Sequence, residues 1–242
     1  MLWLKKLFLE KDFDLEAIVL AGGLGTRLRS VVSDLPKPMA PINGKPFLEY
    51  ILNYLKKNEV TRVVLSVGYK WETIKEYFGN SFENIELIYS VEDEPLGTGG
   101  AIKKALTVCD KNNIFIINGD TFFDVNLQNL ELKDFCKIQL SLKPMNNFDR
   151  YGCVETNIEG FVTTFTEKGF REYGNINGGI YLIAKNIFDE FDLGEKFSFE
   201  EFMQNNFKQL NISTKVFDNY FIDIGIPEDY QKAQIDLRSA DE

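Results

Sequence analysis

The sequence predicts an α/β protein with a mostly parallel central sheet, helices on both faces of that sheet, and a smaller β-rich part. In the first half of the chain, apolar runs typical of buried strands alternate with segments of helical periodicity. These runs are apolar on both faces, which is typical of parallel strands covered on both sides. The second half contains more candidate strands than helices, which predicts the β-rich part.

The first half is predicted to alternate between strand and helix. Pro46 is suited to the first turn of a helix, where a missing N–H costs nothing. Because ligands collect beyond the carboxyl ends of the strands in such sheets, we expect residues 22–27, 92–100 and 119–120 to lie at one edge. The predicted strands are residues 17–20, 62–67, 85–89 and 113–118, and the predicted helices are residues 46–57, 70–78 and 98–106.

The second half is predicted to complete the same domain. It contains no linker, internal repeat or low-complexity block, so we expect residues 16–242 to form a single domain after an extension of residues 1–15. Residues 1–9 are apolar but too few to span a bilayer, and no signal-peptide cleavage site follows them. The predicted strands are residues 137–142, 152–155, 161–166, 178–183 and 213–217, and residues 227–237 are predicted to form a closing helix.

The composition is that of a globular protein that has no histidine. Hydrophobic residues make up 44% of the chain, and the net charge of −10 has the wrong sign for an electrostatic nucleic-acid binder. The three cysteines are scattered, which fits a reducing cytoplasm. The absence of histidine excludes Ser-His-Asp and Cys-His catalysis and the usual histidine-rich zinc sites. The chemistry must therefore depend on carboxylates, lysine, arginine and a hard cation.

A glycine-rich segment, residues 20–28, follows the first predicted strand. Its glycines allow close approach of the backbone to a ligand, and successive amides before a helix form an anion site. Arg27 and Lys37 add two cations, which predicts a triphosphate site. The segment lacks the Lys-Ser or Lys-Thr of a P-loop, and Leu28 replaces the third glycine of the dinucleotide fingerprint. A turn that only joins a strand to a helix remains the alternative.

Several motifs resemble, in order, those of the sugar-1-phosphate nucleotidyltransferases, and the resemblance covers residues 16 to about 237. It implies a Rossmann-like nucleotidyltransferase fold and transfer of a nucleoside monophosphate from a nucleoside triphosphate to a sugar 1-phosphate, with release of pyrophosphate. One departure is Ile226, where the family usually has threonine. The motifs are G-x-G-T-R…P-K in residues 23–37, P-L-G-T in 95–98, G-D in 119–120, R-Y-G in 150–152, F-x-E-K in 165–168, N-G-G-I-Y in 177–181 and D-I-G-x-P in 223–227.

The resemblance also implies roles for individual residues. It implies Mg²⁺ as the cofactor, held by Asp120 and Asp223, since aspartates at strand ends are hard oxygen ligands. The implied catalytic residues are Arg27, Lys37 and Asp120. The implied nucleotide-binding residues are Leu20, Ala21, Gly22, Gly23, Gly25, Thr26, Glu92, Gly97, Thr98 and Gly119, and the implied sugar-phosphate-binding residues are Gly152, Glu167, Lys168, Asn177 and Gly179.

Each motif taken alone has a simpler structural explanation. Asp120 and Asp223 could bind backbone turns or cap helices, and Thr98 could be the N-cap of its own helix. Glu167 and Lys168 could form a solvated pair in a hairpin. The ordered set of motifs, and not any single one, favours the enzymatic interpretation.

Within the family, residues 28–42 most resemble the D-glycero-α-D-manno-heptose 1-phosphate guanylyltransferases. This implies GTP and a heptose 1-phosphate as substrates, and GDP-heptose for bacterial capsule or lipopolysaccharide synthesis as the product. Other pairs remain open, namely those of mannose-1-phosphate guanylyltransferases and of cytidylyl- or uridylyltransferases, as does a non-catalytic nucleotide-sensing module. We expect a cytoplasmic protein without nucleic-acid partner or membrane span, and the apolar residues 1–9 point to a contact in a homo-oligomer.

Overall fold

The computed structural model describes residues 15–23 and 35–238. Its α-helices are α1 (Phe47–Lys57), α2 (Trp71–Phe78), α3 (Gly97–Leu106), α4 (Phe199–Leu210) and α5 (Pro227–Asp236), and short 3-10 helices span Lys37–Met39 and Leu127–Asn129. The strands are β1 (Leu15–Leu20), β2 (Pro41–Ile42), β3 (Lys45–Pro46), β4 (Val60–Val67), β5 (Ser81–Phe82), β6 (Ile85–Val91), β7 (Asn113–Asn118), β8 (Thr121–Phe123), β9 (Ile138–Phe148), β10 (Val154–Thr156), β11 (Val162–Phe165), β12 (Arg171–Ala184), β13 (Ser213–Val216) and β14 (Phe221–Asp223).

An eight-stranded sheet with the order β13-β9-β12-β7-β1-β4-β6-β5 forms the centre of the described part of the chain. The strands β7, β1, β4 and β6 are parallel neighbours, while β12 is antiparallel to both β7 and β9. The predicted α/β fold class is confirmed. The carboxyl ends of β1 and β7 lie side by side, since Leu20 pairs with Asn118.

Helices cover both faces of this sheet, and the residues of β1 show how one strand contributes to both cores. Ala17 and Val19 pack in the core that contains α1, α2 and α5. Ile18 packs in the core that contains α3 and α4. All three side chains are fully buried, so the alternation of a strand places apolar groups on both faces. This burial explains why the strand is a continuous apolar run in the sequence.

The antiparallel region is longer than the sequence predicts. Strand β12 begins at Arg171, although only residues 178–183 are predicted, and β9 continues to Phe148. The two strands pair from Arg171↔Phe148 to Ile183↔Ile138, with a register shift between Asn177 and Tyr181. The first half of β12 is polar and largely exposed, so its strand structure comes from ladder hydrogen bonds and leaves no apolar pattern.

Helix α4 is absent from the prediction. Ser198 is its N-cap, with the hydroxyl accepting a hydrogen bond from the amide of Glu201 at 3.2 Å. The residues Phe199, Phe202 and Met203 form its buried face and pack in the core with α3. Their helical spacing predicts a helix, but this pattern was overlooked because the second half was interpreted as mostly strands.

A second, two-stranded sheet brings the end of the chain to the central sheet. Strands β8 and β14 are antiparallel, and Asp223 pairs with Thr121, the residue after Asp120. The amide of Ile224 also donates to the carbonyl of Asp120 at 2.9 Å. The two aspartates are therefore neighbours in space. Within residues 15–23 and 35–238, no helix is long and apolar enough to cross a bilayer.

Candidate active site

Two clefts open at the carboxyl ends of β1 and β7, and they share three residues. The first cleft has a volume of about 520 Å³ and the second of about 580 Å³. Asn118, Asp120 and Glu200 line both. The site is therefore divided into two compartments that meet beside one carboxylate, an arrangement suited to a reaction between two bound molecules.

Close packing of two strand ends forms the floor of the site. The amide of Gly119 donates to the carbonyl of Leu20 at 3.1 Å, and that of Ala21 donates to Ser66 at 2.7 Å. A Cβ atom on residue 119 would lie 2.4 Å from the Leu20 carbonyl oxygen, so only glycine fits there. This fit keeps Asp120 at the edge of the sheet.

Asp120 and Lys37 form an ion pair where the clefts meet. The Lys37 ammonium lies 2.5 Å from Asp120 Oδ2, and the lysine side chain is only 13% exposed. Lys37 begins the short 3-10 helix that follows the glycine-rich segment, so that element positions its ammonium. A cation and a carboxylate that sequence reasoning assigned to catalysis are thus in direct contact.

Asp223 completes a pair of carboxylates at the junction. Its Oδ1 accepts a hydrogen bond from the amide of Gly225 at 2.7 Å, and its Oδ2 accepts one from the Tyr151 hydroxyl at 3.4 Å. Burial raises the pKa of Asp223 above its ordinary value, and the negative charge of Asp120 raises it further, against the lowering effect of Lys37. The two carboxylates are therefore close enough for the charge of Asp120 to oppose ionisation of Asp223.

This donor set fits a divalent cation that takes most of its ligands from elsewhere. Among residues 15–23 and 35–238, no three acidic or cysteine side chains are grouped closely enough to hold a metal ion. Two carboxylates alone match the binding mode of Mg²⁺, which keeps several waters and takes substrate phosphate oxygens as further ligands. A closed structural site would need a fuller set of protein ligands.

The carboxylate of Glu92 organises one wall of the first cleft. Its Oε2 accepts from the amide of Leu96 at 3.0 Å, and its Oε1 accepts from the Ser66 hydroxyl at 3.2 Å. A Cβ atom on residue 22 would lie 2.7 Å from Oε1, so Gly22 permits the carboxylate to lie against the backbone. Glu92 thereby joins the start of the glycine-rich segment to the residues that precede α3.

Helices α3 and α4 meet beside this wall. The amides of Gly99 and Gly100 both donate to the carbonyl of Phe197, at 3.0 and 3.3 Å. The Thr98 hydroxyl accepts from the amide of Phe199 at 2.8 Å and donates to Glu200 Oε2 at 2.7 Å. The suggestion that Thr98 is the N-cap of its own helix is wrong, because α3 is preceded by Leu96 and Thr98 instead binds the first turn of α4.

The second cleft combines polar and cationic groups. Arg150 Nη2 donates to the Tyr151 hydroxyl at 2.7 Å and to Asp229 Oδ2 at 2.5 Å, and the guanidinium charge tends to lower the pKa of Asp223. The side-chain amide of Asn177 already makes two hydrogen bonds within the protein: its Oδ1 accepts from the Gly179 amide, and its Nδ2 donates to the Tyr181 hydroxyl. One amide hydrogen of Asn177 therefore remains for a ligand.

Most of the predicted site residues within the described part of the chain lie in these clefts. Ala21 is buried behind the first cleft, and Glu167 is exposed outside the residues that line either one. Gly25, Thr26 and Arg27 lie outside the described residues. The first cleft includes Leu20, Gly22, Gly23, Lys37, Glu92, Gly97, Thr98, Gly119 and Asp120, and the second includes Asp120, Gly152, Lys168, Asn177, Gly179 and Asp223.

Sequence reasoning missed several residues of the site. Asn118 and Glu200 line both clefts, Ser66 lines the first, and Arg150 and Tyr151 line the second. Asn118 directly precedes the Gly-Asp motif, and Arg150 and Tyr151 stand in a motif that was noted, so a local signal existed for these three. No local sequence signal pointed to Ser66 or Glu200, because these residues reach the clefts only through contacts between distant segments.

Known proteins resemble this chain over most of its length. Residues 16–240 match the family model described as nucleotidyl transferase. A D-glycero-α-D-manno-heptose 1-phosphate guanylyltransferase of Campylobacter jejuni is 57% identical over 216 residues, which are 89% of this chain and 97% of that protein. An enzyme of the same name from Aneurinibacillus thermoaerophilus is 53% identical over 93% of this chain and 99% of its own. The crystal structure of HddC from Yersinia pseudotuberculosis complexed with GMP-PN has a TM-score of 0.78 and 36% identity, covering 91% and 98% of the two chains.

Proposed function

Because the chain belongs to the nucleotidyl transferase family, we propose that it transfers a guanylyl group from GTP to D-glycero-α-D-manno-heptose 1-phosphate. The products are GDP-heptose and pyrophosphate. The names of the Campylobacter and Aneurinibacillus relatives support the substrate pair, and the GMP-PN complex of the Yersinia protein supports a guanine nucleotide. The product would supply bacterial surface polysaccharide synthesis.

The observation that carries this proposal is the meeting of the two clefts at Asp120. The first cleft would hold the nucleotide and the second the sugar 1-phosphate, with the α-phosphate and the attacking phosphate beside the shared carboxylate. This division brings the nucleophile and the electrophile together without a group that forms a covalent intermediate.

The reaction needs no general base from the protein. A phosphate monoester has its second pKa near about 6, so the sugar phosphate is already an anionic nucleophile at neutral pH. The main barrier is the repulsion between two phosphate groups, and the protein must lower it by charge and by position. An active site without histidine is consistent with this chemistry.

The cations of the chain have separate tasks in this proposal. Lys37, at the junction, would neutralise charge that develops near the α-phosphate. Arg27 and the amides of residues 22–25 would bind the β- and γ-phosphates and so stabilise the leaving pyrophosphate. Lys168, which lines the second cleft, would anchor the phosphate of the sugar.

Nucleotidyltransferases of this family generally use a divalent metal ion, and we propose Mg²⁺ here. Asp120 and Asp223 would hold it, because the pairing of β8 with β14 makes them neighbours and both provide hard oxygen ligands. When bound, the ion would polarise phosphoryl oxygens and offset the charge of the phosphates.

We also propose that residues 1–15 form an extension and residues 16–242 a single domain, and that the enzyme works in the cytoplasm. The three cysteines are free and buried, as expected for a protein of a reducing compartment. Assembly into a homo-oligomer through the apolar residues 1–9 remains part of the proposal, to be tested by light scattering with and without those residues.

The test is pyrophosphate release in the presence of Mg²⁺, with each common nucleoside triphosphate against heptose, mannose and glucose 1-phosphates. Release with GTP and the heptose phosphate alone is the expected result, and chelation of divalent cations should abolish it. Release with another pair would keep the reaction and overturn the substrate assignment. No release with any pair, together with nucleotide binding by calorimetry, would instead favour a nucleotide-sensing module.

A further inference from the structure

Glu200 occupies the junction of the two clefts but has no part in the reaction described above. It is the second residue of α4, and its side chain lines both clefts together with Asn118 and Asp120. Neither the glycine-rich segment nor any of the recognised motifs contains it. Although Glu200 is exposed, a charged group in this position is close enough to the proposed substrates to affect their binding.

Two hydroxyl groups hold this carboxylate in place. Glu200 Oε2 accepts hydrogen bonds from the Thr98 hydroxyl at 2.7 Å and from the Ser198 hydroxyl at 2.9 Å. The position near the start of α4 also favours a negative charge, because the helix dipole is positive there. The group is therefore oriented before any ligand arrives, and among residues 15–23 and 35–238 no side chain or amide donates to Oε1.

The buried Tyr181 phenol gives independent support for the position of this charge. Burial raises the pKa of Tyr181, and the negative charge of Glu200 is the next largest cause, ahead of that of Asp120. The carboxylate of Glu200 is thus near Tyr181, whose hydroxyl accepts a hydrogen bond from Asn177 Nδ2 in the second cleft. Its lining of both clefts remains the observation that places it where the proposed substrates would meet.

The chemistry of a carboxylate limits what it can bind there. It repels the phosphates, and within the described residues it does not form a three-ligand metal group with Asp120 and Asp223. It accepts hydrogen bonds well, and hydroxyl donors are the groups nearest to the phosphates on both sides of the reaction. These are the ribose of the nucleotide and the ring of the acceptor sugar.

We infer that Glu200 binds a hydroxyl group of a substrate sugar ring and so positions that substrate at the junction. The inference rests on the proposed function, which supplies two sugar rings on either side of the phosphates. Glu200 discriminates by the same contact, since an analogue without the hydroxyl cannot donate the hydrogen bond to Oε1.

The test compares Glu200→Gln with Glu201→Gln. Both changes remove one negative charge from the first turn of α4, but Glu201 lines neither cleft, and glutamine at 200 retains an oxygen that Thr98 and Ser198 can reach. Michaelis constants are measured for GTP, 2′-deoxy-GTP, 3′-deoxy-GTP, the sugar 1-phosphate and its deoxy analogues. Thermal unfolding checks that all proteins are folded.

We expect Glu200→Gln to raise one Michaelis constant by about 10-fold or more, and Glu201→Gln to leave it unchanged. The increase should vanish with the analogue that lacks the bound hydroxyl. If the rise in the Michaelis constant disappears with a deoxynucleotide, Glu200 binds the ribose. If it disappears with a deoxy sugar 1-phosphate, Glu200 binds the acceptor sugar. The inference is overturned if the rise in the Michaelis constant is the same for every analogue, or the same in the two variants.

Failure of the proposed function gives a different result. In that case the wild-type chain itself releases no pyrophosphate with any substrate pair. Calorimetric titration of GTP and of the sugar 1-phosphate into the wild type and both variants then tests Glu200 without turnover. Equal dissociation constants in all three proteins overturn the inference, whereas weaker binding in Glu200→Gln alone supports it.

Discussion

Asp120 is one of the three residues that line both clefts, and three other groups depend on its position. Its Oδ2 contacts the Lys37 ammonium, its charge raises the pKa of Asp223, and its carbonyl accepts from the amide of Ile224. Gly119 keeps it at the end of β7 because a side chain there would collide with Leu20. A single short turn thus fixes the centre of the proposed chemistry.

Asp120→Asn should lower turnover by about 100-fold or more, because the amide cannot supply the charge that a divalent cation and Lys37 require. Turnover is measured as pyrophosphate release over a range of Mg²⁺ concentrations. The matched control is Asp124→Asn, since Asp124 is partly exposed and pairs only weakly with Lys57 at 3.6 Å. Near-normal turnover of Asp120→Asn at limiting Mg²⁺ would contradict the metal-binding role.

Lys168→Ala should mainly weaken binding of the sugar 1-phosphate. We expect its Michaelis constant to rise by about 10- to 100-fold, with a smaller effect on the constant for GTP, because Lys168 lines only the second cleft. Steady-state kinetics with each substrate varied in turn measure the two Michaelis constants separately. Lys208→Ala removes an equivalent charge from the far end of α4 and is the control. Equal changes in both Michaelis constants would contradict the assignment.

The contact between α3 and α4 decides the shape of the first cleft. Gly97 has a φ of +72° and the amides of Gly99 and Gly100 bind the Phe197 carbonyl, so the start of α3 lies directly on the segment that leads into α4. The glycines that resemble a nucleotide-binding turn therefore also allow two elements from distant parts of the sequence to touch. Thr98 and Glu200 are held together by this contact.

Gly100→Ala should destabilise the protein, because a Cβ atom there would lie 2.2 Å from the carbonyl oxygen of Glu195. The expected loss of unfolding free energy is about 1–3 kcal/mol, with weaker nucleotide binding as α3 moves. Urea unfolding and calorimetric titration of GTP measure the two effects. Gly194→Ala is the control, since no atom lies within 4 Å of its added Cβ. Equal stability of both variants would show that α3 and α4 adjust freely.

At the scale of the whole molecule, the two ends of the sheet have different roles. The two clefts lie at the carboxyl ends of β1 and β7, whereas Glu16 lies near the amino end of β1 and is only 1% exposed. Its carboxylate pairs with Arg62 and accepts from the amides of Asp110 and Lys111, both at 2.8 Å. This network joins β1, β4 and the loop before β7, far from the substrates.

Glu16→Ala should therefore reduce stability without changing the site. Removing one partner of a buried ion pair costs about 3–5 kcal/mol of unfolding free energy. Denaturant unfolding measures the loss, and kinetics at a temperature where the variant is folded should give Michaelis constants like those of the wild type. Glu86→Gln changes an exposed partner of the same arginine and should cost less than about 1 kcal/mol. Altered Michaelis constants in Glu16→Ala would contradict this separation.

The sequence by itself determined the fold class, the strands whose ends border the two clefts and many of the residues that line those clefts. It could do so because strand and helix periodicity, glycine turns and polar residues after strands are local patterns, and the family motifs are local as well. Helix α4 could also have been predicted from the sequence, since the spacing of Phe199, Phe202 and Met203 is helical.

Only the tertiary structure decided which local patterns meet. The pairing of β8 with β14 makes Asp120 and Asp223 neighbours, and the packing of α3 on α4 brings Glu200 to both clefts. The tertiary structure also shows that Thr98 binds the first turn of α4 and does not cap α3. These contacts join residues far apart in the chain, and their geometry depends on strand register and on the fit of glycine against backbone. A periodicity that repeats every few residues contains no information about either.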